Sequence, residues 1–154
     1  MSMSLPRKPP RLGIGTQEGP QTQYETAAQS YQDDYGWAVG VYRSGVWLVS
    51  GRGVDALDMP RELGERVQLA TGNSVPLFES PEDNSTRWVF LVASHTGPAE
   101  PRMAELGIDH IRAGRCVDLP PSEFGQHRLR WISTPSGLLT PDFTTVVHAV
   151  LQAR

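Results

Sequence analysis

The chain has almost no cysteine: Cys116 stands alone among 154 residues. One thiol makes no internal disulfide, which excludes small disulfide-framed folds and fits a reducing, cytoplasmic compartment. The bland expectation for Cys116 itself is a small buried hydrophobe. Long apolar runs are missing too. No stretch approaches the roughly 18–20 residues that a membrane span needs, and no apolar core of a secretory signal follows the first basic residues. Lysine is nearly absent, Lys8 being the only one beside the arginines. Positive charge is not in excess: the net charge of −3 argues against nonspecific coating of nucleic acid, which runs on surplus cations, though it leaves room for a local basic groove. The four histidines, His95, His110, His127 and His148, lack the spacing of a metal site. No nucleophile elbow, Ser-His-Asp arrangement or phosphate-cradling loop appears.

What is present is enough apolar material, 38% of residues, to bury a core without a disulfide or a structural metal. Residues 1–21 are rich in Pro, Gly, Ser and Gln and lack apolar periodicity, so they read as a disordered tail before one domain over residues 22–154. Thr22-Gln23-Tyr24-Glu25 has the form of a capping box. Tyr24, Ala27, Ala28, Tyr31 and Tyr35 then form one helical stripe that ends at Gly36. A hairpin over 37–42 and 46–50 turns at Arg43-Ser44-Gly45.

The next stretch reads as strand 54–57, helix 60–70, strand 75–78, polar turn 80–85, strand 87–93, helix 98–106 and strand 108–112. Residues 87–93 (RWVFLVA) are the most hydrophobic and should be central. Strands over 115–119 and 129–132 follow. A last helix opened by Thr140-Pro141 buries Phe143, Val146, Val147, Val150 and Leu151. The fold class is therefore α+β, with a split β-α-β-β-α-β core of the RRM or ferredoxin-like kind, an added N-terminal helix-hairpin and a C-terminal helix. That topology alone specifies no function.

Residues 107–130 read GIDHIRAGRCVDLPPSEFGQHRLR. This resembles a segment of the DNA primase/polymerase (prim-pol) family, of the form G-[IV]-D-x-[RK]-x-x-G-x-[VI]-x-x-P-P-S, near the end of the catalytic core. The matching positions are Gly107, Ile108, Asp109, Arg112, Gly114, Val117, Pro120, Pro121 and Ser122, with one extra residue between Asp109 and Arg112. The stretch YQDDYGWAVG, residues 31–40, also looks like the family's opening helix and strand. The resemblance spans residues 27–131, and only the GID…PPS segment within it is specific.

The resemblance implies template-directed nucleotide addition with Mg or Mn held by carboxylates on adjacent strands. Carried onto this chain, it makes Asp55, Asp58 and Asp109 the catalytic candidates, with Asp55 and Asp109 as metal ligands. Their carboxyl groups should then approach within about 4–6 Å. Arg87, Arg112 and Ser122 are the candidates for nucleotide or phosphate binding. Two departures bear on catalysis. The family's Asp-x-Asp pair shares one strand face, whereas Asp55 and Asp58 at i, i+3 fall on opposite faces. Asp58 has an ordinary role open to it as the cap of the helix near Pro60. The family's phosphate-contacting histidine before the central strand is also missing, and Arg87 stands near its place. Asp109 with Arg112 forms either a metal-and-phosphate site or a pair supporting the sheet edge.

The expectation is a divergent prim-pol-like protein that binds nucleotides or DNA in a metal-assisted cleft and is weakly active or inactive as a polymerase. The rival is a non-catalytic protein-interaction module on a degenerate prim-pol scaffold. That rival predicts Asp55 and Asp109 far apart or individually capped, and an apolar patch exposed elsewhere.

Overall fold

The computed structural model describes residues 20–82, 85–136 and 141–153. Residues 1–19 of the expected tail lie outside this set. Helix α1 (Pro20–Tyr35) opens the described chain. It starts ahead of the expected capping box, with proline in its first turn, where a missing N–H leaves no bond unmade. Tyr24, Ala28 and Tyr31 are buried along its apolar stripe, and Tyr35 packs partly against the same core. Gly36, at φ 71°, ends it and donates its N–H to the Gln32 carbonyl at 2.9 Å. Strands β1 (Val39–Tyr42) and β2 (Gly45–Val49) form the hairpin around Arg43-Ser44.

From Val54 the elements run β3 (Val54–Pro60), α2 (Arg61–Thr71), β4 (Leu77–Glu82), β5 (Ser85–Ala93), α3 (Pro101–Glu105) and β6 (Asp109–Ile111). The chain then forms β7 (Cys116–Leu119), β8 (Glu123–Phe124), β9 (His127–Arg128) and β10 (Arg130–Ser133), and finishes on α4 (Phe143–Ala153). Five strands make the main sheet in the order β10-β4-β5-β3-β6, every neighbouring pair antiparallel. The hydrophobic β5 is central, as its composition requires. A second sheet has the order β1-β2-β7, and β8 pairs with β9 as a small hairpin. The architecture is mixed α+β.

Three expectations need correcting here. Strand β3 extends to Pro60 because β5 pairs along its whole length, so Asp58 is a strand residue and not a helix cap. The N-cap position of α2 is Pro60, with no side-chain cap bond. The expected polar turn at 80–85 is mostly ladder, since Pro81 pairs with Thr86 and Glu82 with Ser85; residues 83–84 lie outside the described set. Cys116, expected inside, is exposed at one end of β7, an edge strand of the small sheet. The last helix begins at Phe143; its expected cap, Thr140, lies outside the described residues.

Period-two alternation divides the core in two. Leu57 and Met59 of β3, with Trp88, Phe90 and Val92 of β5, meet α2 and α4 through Leu63, Val67, Val146 and Val150. Val54 and Ala56, with Val89 and Leu91, face the other way onto α1 and the small sheet, where Tyr24, Trp37, Leu48 and Leu119 are buried. Among the described residues no helix is long and apolar enough to cross a membrane.

Candidate functional site

The alternation that divides the core also separates the acids of β3. Asp55 shares the α2–α4 face with Leu57, and Asp58 shares the opposite face with Ala56. Strand β6 pairs with β3 in the register Ala56↔Ile111, Leu57↔His110 and Asp58↔Asp109. Directly opposite residues point to one side of a sheet, so Asp109 faces Asp58 and lies on the other side from Asp55. The expected approach of Asp55 to Asp109 is therefore absent. Its physical reason is the register, which a single sequence does not specify.

Asp55 is fully buried and accepts four hydrogen bonds. Its Oδ1 receives the Gly51 N–H at 3.0 Å and the Ser94 hydroxyl at 3.1 Å. Its Oδ2 receives the His95 N–H at 3.1 Å and lies 2.9 Å from His110 Nε2. The rings of His95 and His110 each stack on Phe143 at the start of α4, with centroids 4.2 Å and 4.8 Å away. Asp55 thus ties the turn before β3, the loop after β5, strand β6 and, through the two imidazoles, the head of α4. Its lone pairs are occupied by protein donors.

Burial holds His110 below its ordinary value, against the hydrogen bond and charge of Asp55, which pull it upward. The unfolded chain, at about 6.5 for histidine, then binds the proton more readily than the folded one. Stability carried by neutral His110 is intact above that value and drains as the pH falls through it toward the lower folded pKa. Urea titrations between pH 7.5 and pH 5.5 should show stability falling toward acid. His110→Gln, which keeps a donor for Asp55, should fall less steeply; equal slopes would contradict this account.

Across the sheet the second acidic pair is differently placed. Asp58 and Asp109 stand directly opposite each other at the end of β3, where two like charges destabilise a sheet unless neutralised. Two guanidinium groups supply the counter-charge. Arg87 Nε donates to Asp58 Oδ1 at 2.6 Å, and its terminal nitrogen donates to the carbonyls of Asp58 at 3.0 Å and Gly107 at 2.9 Å. Arg115 forms a two-pronged pair with Asp109 at 2.9 Å and 2.8 Å. The Arg115 guanidinium holds the Asp109 carboxyl below the usual carboxylate range. The partner of Asp109 is therefore Arg115, not the expected Arg112.

The remaining candidates serve the frame. Arg112 donates to the His95 carbonyl at 3.2 Å, bracing the loop that Asp55 also holds. Ser122 is fully buried; its hydroxyl receives the Val46 N–H at 2.8 Å and donates to the Val46 carbonyl at 2.9 Å, so it fastens the Pro120-Pro121-Ser122 loop to β2. Tyr31 donates to the Pro120 carbonyl beside it. These bonds commit Ser122 to the backbone and leave no hydroxyl aimed at a phosphate.

A divalent cation needs several oxygens converging on one point. Asp55 is turned away from Asp109 and satisfied by four donors, while Asp58 and Asp109 carry arginines. Among the described residues no group of three or more His, Cys, Asp or Glu side chains is gathered to hold a metal ion. The donor set does not fit the Mg or Mn site that the resemblance implies.

Sequence reasoning missed Arg115, His95 and His110 as members of these clusters. The one available signal was the alternation of Asp55 and Asp58. The partners come from loops and strands whose pairing is non-local. Compared with protein-family models, with curated proteins and with solved structures, the chain matches none.

Proposed function

We propose that the chain is a divergent DNA primase/polymerase-like domain that binds nucleotide or nucleic acid and does not add nucleotides. The observation that carries this reading is the quartet of Asp58, Asp109, Arg87 and Arg115. The acids stand on the first and last strands of the β3–β6 unit, where the resemblance places metal-holding carboxylates, and arginines supply their counter-charge. Support also comes from the strand order β6-β3-β5-β4, which is that of a split βαβ sheet. Arg87, near the place of the family's phosphate-contacting histidine, is held by Asp58 and the Gly107 carbonyl.

The test is primer extension with Mg or Mn, run beside binding of the same primer–template in chelator. Binding without extension is the expected result. Metal-dependent incorporation that Asp58→Asn abolishes would overturn the reading, as would no binding at all.

A second reading, a protein-interaction module on the same scaffold, is favoured by one feature. A groove of about 320 Å³ lies between α2 and α4, lined in part by Ala70, Val75, Val146 and Ala149. Under that reading Ala70→Asp or Thr145→Asp, at exposed residues of the groove, abolishes partner capture, and the quartet variants do not.

A further inference from the structure

At the β4–β5 hairpin end of the sheet lies a polar cleft of about 410 Å³, lined by Glu79, Thr86, Gln126, His127, Arg128 and Arg130 among others. It is rich in uncommitted donors. The side chains of Arg130, His127, Gln126 and Thr86 make no hydrogen bond or ion pair among the described residues, and all four are exposed or half-buried. The acid Glu79 already receives the Trp88 indole N–H at 3.2 Å. Arg128 is paired with Glu123 at 3.0 Å.

The β8–β9 hairpin that forms one wall is pinned in place. The Tyr24 hydroxyl donates to Glu123, and the Glu123 N–H donates to the Ser44 carbonyl at 3.0 Å. Burial, with the Glu123 contact, pushes the Tyr24 hydroxyl up to about 12, so it remains a donor throughout the working pH range. On this fixed hairpin Phe124 is 40% exposed and stands directly opposite His127, which puts both on one face. An exposed aromatic on the hairpin whose His127 lines the cleft, with the free guanidinium of Arg130 in the same cleft, offers the two contacts that single-stranded nucleic acid uses: bases stack on a ring and phosphates accept from free donors. A free phosphate needs no such ring.

We propose that this cleft binds single-stranded nucleic acid, with a base stacked on Phe124 and backbone phosphates on Arg130 and His127. The inference rests on the reading above for the class of ligand, and on the cleft for its place. Along β5, Thr86 of the cleft and Arg87 of the quartet are neighbours that point to opposite faces, so the cleft lies across the sheet from the quartet.

The probe is a labelled oligothymidylate of about 12 nucleotides, within the usual range of site sizes, titrated by fluorescence anisotropy at several salt concentrations. Arg130→Ala should weaken binding about tenfold and flatten the log–log salt dependence by about 0.7, the loss of one phosphate contact to a single strand. Phe124→Ala should weaken binding about tenfold and leave the salt slope unchanged, because stacking releases no counterions. Both residues are exposed, so both variants should keep the unfolding midpoint of the parent. Parent and variants binding equally would overturn this site while leaving the nucleic-acid reading standing. No binding by the parent would overturn both. Displacement of the oligonucleotide by polyglutamate at matched charge, with Phe124→Ala silent, would assign the cleft to an acidic peptide and overturn the inference.

Discussion

Replacing Asp55 by alanine is expected to cost about 3–5 kcal/mol of folding free energy, the range for removing one partner of a buried charged network. The substitution strips the acceptor from the Gly51 and His95 amides, the Ser94 hydroxyl and the His110 ring together. All but the exposed Gly51 belong to half-buried residues, and an unmet buried donor costs far more than a hydrogen bond contributes when made. Asparagine should rescue little, because its amide nitrogen meets donors where the carboxylate offered an oxygen. Against a total stability of about 5–15 kcal/mol, a loss of this size moves the urea midpoint far from the parent's. Asp109→Ala is the control: its pair with Arg115 lies at the surface, and such pairs are worth about 0–1 kcal/mol. Equal midpoints for Asp55→Ala and the parent would refute the role of Asp55 as the hub joining β3, β5 and β6.

Gly45→Ala should be nearly as damaging, at about 3 kcal/mol, the upper end of the ordinary cost of overpacking. A methyl there would lie 2.1 Å from Ser122 Oγ, 2.5 Å from its Cβ and 2.9 Å from its Cα. The serine has nowhere to turn, since its hydroxyl is bound to both backbone groups of Val46. Relief requires the Pro120-Pro121-Ser122 loop to part from β2. Ser122→Gly opens the space at the expense of those two bonds. The double variant should therefore lose less than the sum of the single losses, by about 1 kcal/mol or more. Strict additivity in denaturant titrations would mean that the loop yields freely and that Gly45 is not held by contact.

The two results together separate frame from surface. Asp55, Ser122 and Arg112, three of the candidate site residues, act on the architecture. Asp109 is exposed and Asp58 and Arg87 are half-buried; under the proposed function, changes at these three should alter ligand binding more than Asp55→Ala does without matching its cost to folding. A polymerase site with its acids intact would show the reverse dependence on Asp55, whose loss would spare the fold and abolish metal binding.

Much of the local structure was legible in the residues. The stripe of Tyr24, Ala28 and Tyr31, the spacing of Leu63 and Val67, and the apolar run of β5 each bury a face dictated by its own periodicity, and the order of elements from β3 to β6 follows from them. The alternation along β3 already separated Asp55 from Asp58. Tertiary structure alone decided what each acid meets. A strand's period sets which of its own residues share a face, but the neighbour that lies opposite depends on register with a strand some fifty residues away. That register brings Asp109 to Asp58, His110 to Asp55, and Arg115 into the pair where the sequence pointed to Arg112. The β8–β9 hairpin was likewise invisible, because two-residue strands carry no periodicity and are held by Tyr24 and Ser44, contributed from far earlier in the chain.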